Sequence, residues 1–175
     1  MACTLSTGRT LPCKSAFGGI KSVLFSDFGS ISALNIDSST KQVTTLTTSG
    51  NWYKYDVKGN SSLETTVTSS RENGTTFYTQ TLNLTLTYLD AKTQAELQEI
   101  AIARPYVIVE DYYGNFFLCG YENGCELTSG TTVTGAAAGD LSGFTITMEA
   151  MEETAPYFLD SSVVPAADAE VITPN

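Results

Sequence analysis

The residue types that do chemistry are sparse in this chain, and the type that is missing decides most. There is no histidine in 175 residues. Hydrolysis by a Ser-His-Asp or Cys-His arrangement is excluded, since no imidazole is present to act as the base. Carboxylate pairs are what remains for acid–base work. Glu110 and Asp111 are adjacent, as are Glu152 and Glu153. Adjacent residues of a strand point to opposite faces, so neither pair flanks one substrate. Pairs drawn from separate strands stay open, and nothing in the sequence singles one out. The expectation is a chain with no catalytic residue and no enzyme activity.

The other motifs point the same way. Four cysteines stand at positions 3, 13, 119 and 125. Their spacing fits no paired zinc knuckle, and no histidine completes a mixed site. Cys119 and Cys125 flank Asn123-Gly124, so a turn brings them near each other. In a reducing compartment they are expected to remain thiols, and burial is expected for all four cysteines. No Gly-Lys-Ser/Thr follows a glycine-rich loop, and no glycine-rich turn precedes the one expected helix, so phosphate and dinucleotide cradles are not expected. Residues 111–115 hold too few carboxylates for a calcium loop. No metal and no cofactor is expected. Tyr112, Tyr113, Phe116 and Phe117 offer aromatic faces for a sugar, or equally for a core or a subunit contact. Asn60, Asn73 and Asn83 open glycosylation-like triplets of the kind that a Thr- and Ser-rich chain produces by chance.

Charge is divided along the chain. Residues 1–104 hold nine Lys/Arg against eight Asp/Glu, a net +1, while residues 105–175 hold none against eleven, a net −11. The acidic part would repel a phosphate backbone, so sequence-specific nucleic-acid binding is not expected. It acts either as a solubilising surface or as one that nucleic acid slides past. No apolar run reaches the ~18–20 residues that cross a bilayer. The N-terminal residues lack a charged region followed by an apolar one, so the expectation is no secretory leader and assembly in the cytoplasm.

The elements that would carry these residues are mostly strands. A length of 175 residues suits one domain. Residues 20–25, 42–47, 52–57 and 63–68 read as strands, with a turn at Ser49-Gly50-Asn51. Residues 75–89 alternate most clearly: Tyr78, Leu82, Leu84, Leu86 and Tyr88 share one face, and threonines and Asn83 the other. This strand is longer than the common ~5–6 residues. A helix over residues 91–103 starts at Asp90 and stops before Pro105. A hairpin follows, from paired strands at 106–112 and 116–128. A small-residue loop spans 129–139, and a last strand, 144–151, alternates Phe144, Ile146, Met148 and Ala150 with polar residues. The fold expected is mainly β: an antiparallel β-sandwich or barrel with one inserted helix. It comprises an N-terminal arm (1–19), a sandwich domain (20–154) and an acidic C-terminal arm (155–175).

The chain resembles virion structural proteins of tailed bacteriophages, those of crAss-like and related phages of Bacteroidota in particular. The resemblance rests on Ala2-Cys3-Thr4-Leu5, Cys13-Lys14 and Gly18-Gly19-Ile20-Lys21, then on Tyr53-Lys54-Tyr55 and Lys58-Gly59-Asn60-Ser61-Ser62. Ser70-Arg71-Glu72-Asn73-Gly74-Thr75, Val107-Ile108-Val109-Glu110-Asp111, Gly120-Tyr121-Glu122-Asn123-Gly124 and the stretch 135–144 complete it. It implies a tail-tube-like or tail-ring protein in the virion, with sheets completed between neighbours and a long hairpin and arms reaching adjacent subunits. The implied partners are further copies in a ring, hexameric or a multiple of that, and other tail or capsid proteins. The alternative is a capsid-decorating or adhesin-like module on the virion surface, contacting a partner through the aromatic hairpin.

Overall fold

The computed structural model describes residues 8–11, 13, 14, 17–57 and 59–168. Its strands are β1 (Ile20–Ser26), β2 (Ile31–Ile36), β3 (Gln42–Thr48), β4 (Tyr53–Asp56), β5 (Ser62–Ser70) and β6 (Thr75–Thr87). After the helix α1 (Ala91–Ile102) come β7 (Tyr106–Asp111), β8 (Phe116–Cys119), β9 (Glu126–Val133), β10 (Gly143–Glu152) and β11 (Tyr157–Leu159). They form a larger sheet, in the order β2-β3-β11-β8-β7-β1-β4, packed on a smaller one, β5-β6-β10-β9. The mainly β sandwich is as expected. The larger sheet is mixed rather than antiparallel, because β11 runs parallel to β3 with Phe158 beside Gln42.

The apolar alternation sets the packing. Leu82, Leu84 and Leu86 of β6 and Phe144, Ile146 and Met148 of β10 face Val23, Phe25, Val107 and Val109 across the space between the sheets. The intervening residues Leu24, Ile108 and Leu118 point the other way, into a second core with Val43, Trp52, Tyr106 and Leu159. Central strands buried on both faces are why Val107-Ile108-Val109 is an unbroken apolar run. Trp52, in the link between β3 and β4, is the largest side chain in that second core and is 1% exposed.

Asp90 caps α1 by accepting from the N–H groups of Lys92 and Thr93 at 3.0 and 3.2 Å. Leu97 and Ile100 enter the main core beside Phe25 and Tyr55, and the helix also contacts β9. It therefore closes the side of the sandwich where the edge strands β4 and β9 lie over each other.

Several boundaries differ from expectation. Residues 116–128 are two strands, because Gly120 (φ +68°) and Gly124 (φ +79°) turn the chain between them. The break carries the chain from the larger sheet to the smaller. The expected loop at 129–139 begins as strand, since β9 continues to Val133 along β10. Its threonines suit a pleated edge, and small Gly130 lies against Ile146. The described part of the expected C-terminal arm is built into the fold. Leu159 is buried, Val163 and Val164 pack on the second core, and the Asp168 N–H donates to the Trp52 carbonyl. Residues 169–175 lie outside the described residues, as do 1–7 of the N-terminal arm. The arm's described residues contain no strand.

Candidate assembly surfaces

The carboxylates singled out by sequence are mostly occupied with holding the chain in place. Glu110 accepts from Lys21 Nζ at 2.5 Å and from Ser22 Oγ at 2.6 Å, tying β7 to β1. Burial alone would raise its pKa. The Lys21 and Ser22 hydrogen bonds and the positive charges of Lys21 and Lys54 outweigh that and hold it below the ordinary value. Its neighbour Asp111 turns away and accepts from the Tyr113 and Asn115 N–H groups, shaping the β7–β8 turn. Glu152 is 3% exposed and accepts from the N–H groups of Glu122 and Asn123, both at distances near 3 Å. Burial pushes its pKa up, and these N–H groups offset the rise only in part. Glu153 is exposed, so this second pair is split as well. Asp140 and Asp160 cap their own loops through Ala136, Ala137 and Ser162. Five of the eleven acidic residues of 105–175 are thus spent on turns and buried contacts.

Cys119 and Cys125 are buried thiols beside that turn, and burial raises the pKa of both. Cys13 is exposed, contrary to the burial expected for every cysteine, because it lies in the arm ahead of the first strand. Cys3 lies outside the described residues. The aromatic hairpin does not form one platform. Phe116 packs into the second core, Phe117 meets Phe158 with ring centroids 4.7 Å apart, and Tyr112 meets Phe17 edge-on. Only Tyr113 of the four is more than half exposed.

Broader features remain on the smaller sheet. Its strands contain no Lys or Arg. Leu63, Leu82, Met148 and Leu127 face the core, which puts Glu64, Thr81, Glu149 and Glu126 on the outer face. The register places those four in one row, with Glu149 directly opposite Glu126. Like charges so placed repel, by ~0.2–1 kcal/mol. On one side of it Ser129, Thr147, Asn83 and Ser62 stand in line, with Thr145 beside Thr85 beyond them; on the other Thr66 and Thr79 line up with Met151, which is exposed. The β5–β6 hairpin also overhangs this sheet. Its pairing runs out to Ser70 opposite Thr75, whereas β10 joins β6 only from Tyr78 onward.

Both outer strands of this sheet have an unpaired edge among the described residues. At β9 a bulge interrupts the register between Thr147 and Met148. At β5 the nine pairs run without interruption, and the strand contains no Pro and no Lys. Between β5 and the larger sheet lies a groove of about 450 Å³, on the side of the sandwich that α1 does not close. Ile20, Leu63, Val109, Phe117, Pro156 and Phe158 line it, with Asp111 as its acidic residue. Comparison with protein-family models, with curated proteins and with solved structures gave no match.

Proposed function

We propose that the chain is a structural protein of a tailed-phage virion that self-assembles into a ring or tube of the tail or head–tail region, forming part of the DNA conduit. One observation carries the reading: the edge of β5. Natural sheets protect an exposed edge with Lys, Pro, a bulge, a short strand or a covering element. β5 has nine residues in unbroken register, Glu64 as its single charge, and no Lys, Pro, bulge or covering element among the described residues. Such an edge is a template for strand addition from another molecule. Pairing through unlike surfaces is heterologous and closes into a ring when the rotation allows.

The outer face of the smaller sheet supports the same reading. Its hydroxyls and its Glu64–Glu149–Glu126 row, without a basic residue in the sheet, make a surface that DNA passes without adhering. The overhanging hairpin tip, Arg71 to Gly74, suits contact with a neighbouring ring.

Sedimentation of the wild type against Thr65→Lys tests the reading. Thr65 lies exposed on β5 at the wall of the groove, on the inward side with Leu63, and an inward-pointing charge there obstructs an added strand. The wild type should sediment as large, concentration-dependent oligomers and the variant as monomers. A wild type that stays monomeric at every concentration contradicts self-assembly.

A further inference from the structure

The tripeptide Glu-Asn-Gly occurs twice in the chain, at 72–74 and at 122–124. An asparagine followed by glycine can modify itself, because no Cβ keeps the glycine nitrogen from the asparagine side-chain carbonyl carbon. The reaction needs two freedoms. The side-chain amide must be able to turn onto that nitrogen, and the nitrogen must be able to lose its proton. The two copies share these three residues, so the fold is what separates them.

At 122–124 both freedoms are removed. Asn123 Nδ2 donates to the Met151 carbonyl at 2.7 Å, and the Asn123 backbone N–H donates to Glu152 at 3.0 Å. The Gly124 N–H donates to the Gly120 carbonyl at 3.0 Å. Gly124 is buried, and a Cβ on it would lie 2.6 Å from the Arg104 carbonyl oxygen, so the backbone there has no room to swing. At 72–74 both freedoms remain. Asn73 and Gly74 are exposed, at the tip of the β5–β6 hairpin beyond the end of β10. Among the described residues, neither the Asn73 side chain nor the Gly74 N–H has a hydrogen-bond partner; only the Asn73 backbone N–H is held, by Ser70 Oγ at 3.3 Å. A Cβ on Gly74, where φ is +64°, would meet nothing within 4 Å.

We propose that Asn73 is a site of spontaneous deamidation and that the fold protects Asn123 from the same reaction. The Gly74 nitrogen gives its proton to solvent base and attacks Asn73 Cγ. The N–Cγ bond forms, the Cγ–Nδ2 bond breaks, and Nδ2 takes a proton and leaves as ammonia. The product is a cyclic succinimide, which water then opens at either carbonyl. Breaking the N–Cγ bond gives aspartate. Breaking the bond to the Asn73 main-chain carbonyl carbon gives isoaspartate, with an extra methylene in the main chain. One water is consumed and one ammonia released, with no oxidant or reductant. The tip, where Arg71 and Glu72 balance, becomes net negative.

The test incubates the full-length protein in warm, mildly alkaline buffer and follows both sites by peptide mapping with fragment-ion mass spectrometry. In the folded protein Asn73 should convert at least ~tenfold faster than Asn123, whose reaction waits on local opening. Isoaspartyl methyltransferase should label the peptide holding residue 73 and not the one holding residue 123. In guanidinium chloride the two rates should converge. Asn73→Gln should remove the labelling and leave the far-ultraviolet circular dichroism spectrum unchanged. Equal rates at the two sites in the folded protein overturn the proposal, as does an Asn73 that stays intact while the unfolded chain deamidates. A difference that persists undiminished in guanidinium chloride belongs to the flanking residues, and overturns the protection assigned to the fold.

Discussion

Glu110 and Glu152 respond to pH in opposite senses. Glu110 has a folded pKa below its ordinary 4.5, so its contribution is complete above that value and is lost as pH falls through the folded value. Glu152 has a folded pKa above 4.5, so the folded state holds the proton more tightly. Its ionisation costs stability as pH rises from 4.5 through the folded value. Urea titrations across pH should separate them. Glu110→Gln should cost stability steadily above pH 5 and nothing at strongly acid pH. Glu152→Ala should cost ~1–3 kcal/mol near pH 4.5, because buried N–H groups lose their acceptor, and less toward pH 8. Equal costs at all pH values for either variant would contradict its assignment. The sequence showed that neither adjacent pair faces one substrate, but not what each carboxylate does instead. Ser22 and the N–H groups of Glu122 and Asn123 meet these acids across 29 or more residues of chain, for which local spacing holds no signal.

Elements with a local signal were legible and those formed by long-range pairing were not. α1 announces itself through Asp90 and Pro105, and Asp90→Ala should lower stability by ~1 kcal/mol in thermal or chemical denaturation. β6 and β10 announce themselves by period-two alternation. β11, with three residues, exists because β8 and β3 flank it, and β2 because β3 pairs with it. The residues 129–133 read as loop because they are small, yet β10 offers them an edge to pair with. The second core was equally hidden, since Trp52 reaches it from a link between strands on opposite sides of the sheet. Trp52→Ala should cost ~3–5 kcal/mol by emptying that core. A loss below ~1 kcal/mol in urea denaturation would show the second core to be dispensable. Gly143 belongs at this scale too: a Cβ there would lie 2.0 Å from the Leu86 carbonyl oxygen. Gly143→Ala should therefore destabilise the β6–β10 pair by ~1–3 kcal/mol through overpacking.

At the scale of the whole molecule, the asymmetry of the sandwich matters more than its class. One side is closed by the chain's own helix. The other keeps a nine-residue edge and an apolar groove. The charge division legible in sequence acquires a different meaning here. Part of the C-terminal acid is consumed in turns, and what stays outward includes Glu126 and Glu149 on a sheet without basic residues, joined there by Glu64 from the first half. The most direct test of self-assembly around a conduit is electron microscopy of the purified full-length protein. The account predicts rings or tubes with an open central channel, a strand seated along β5 and the Glu64–Glu149–Glu126 face toward the channel. Single 18.7 kDa particles at every concentration, or assemblies without a channel, would contradict it.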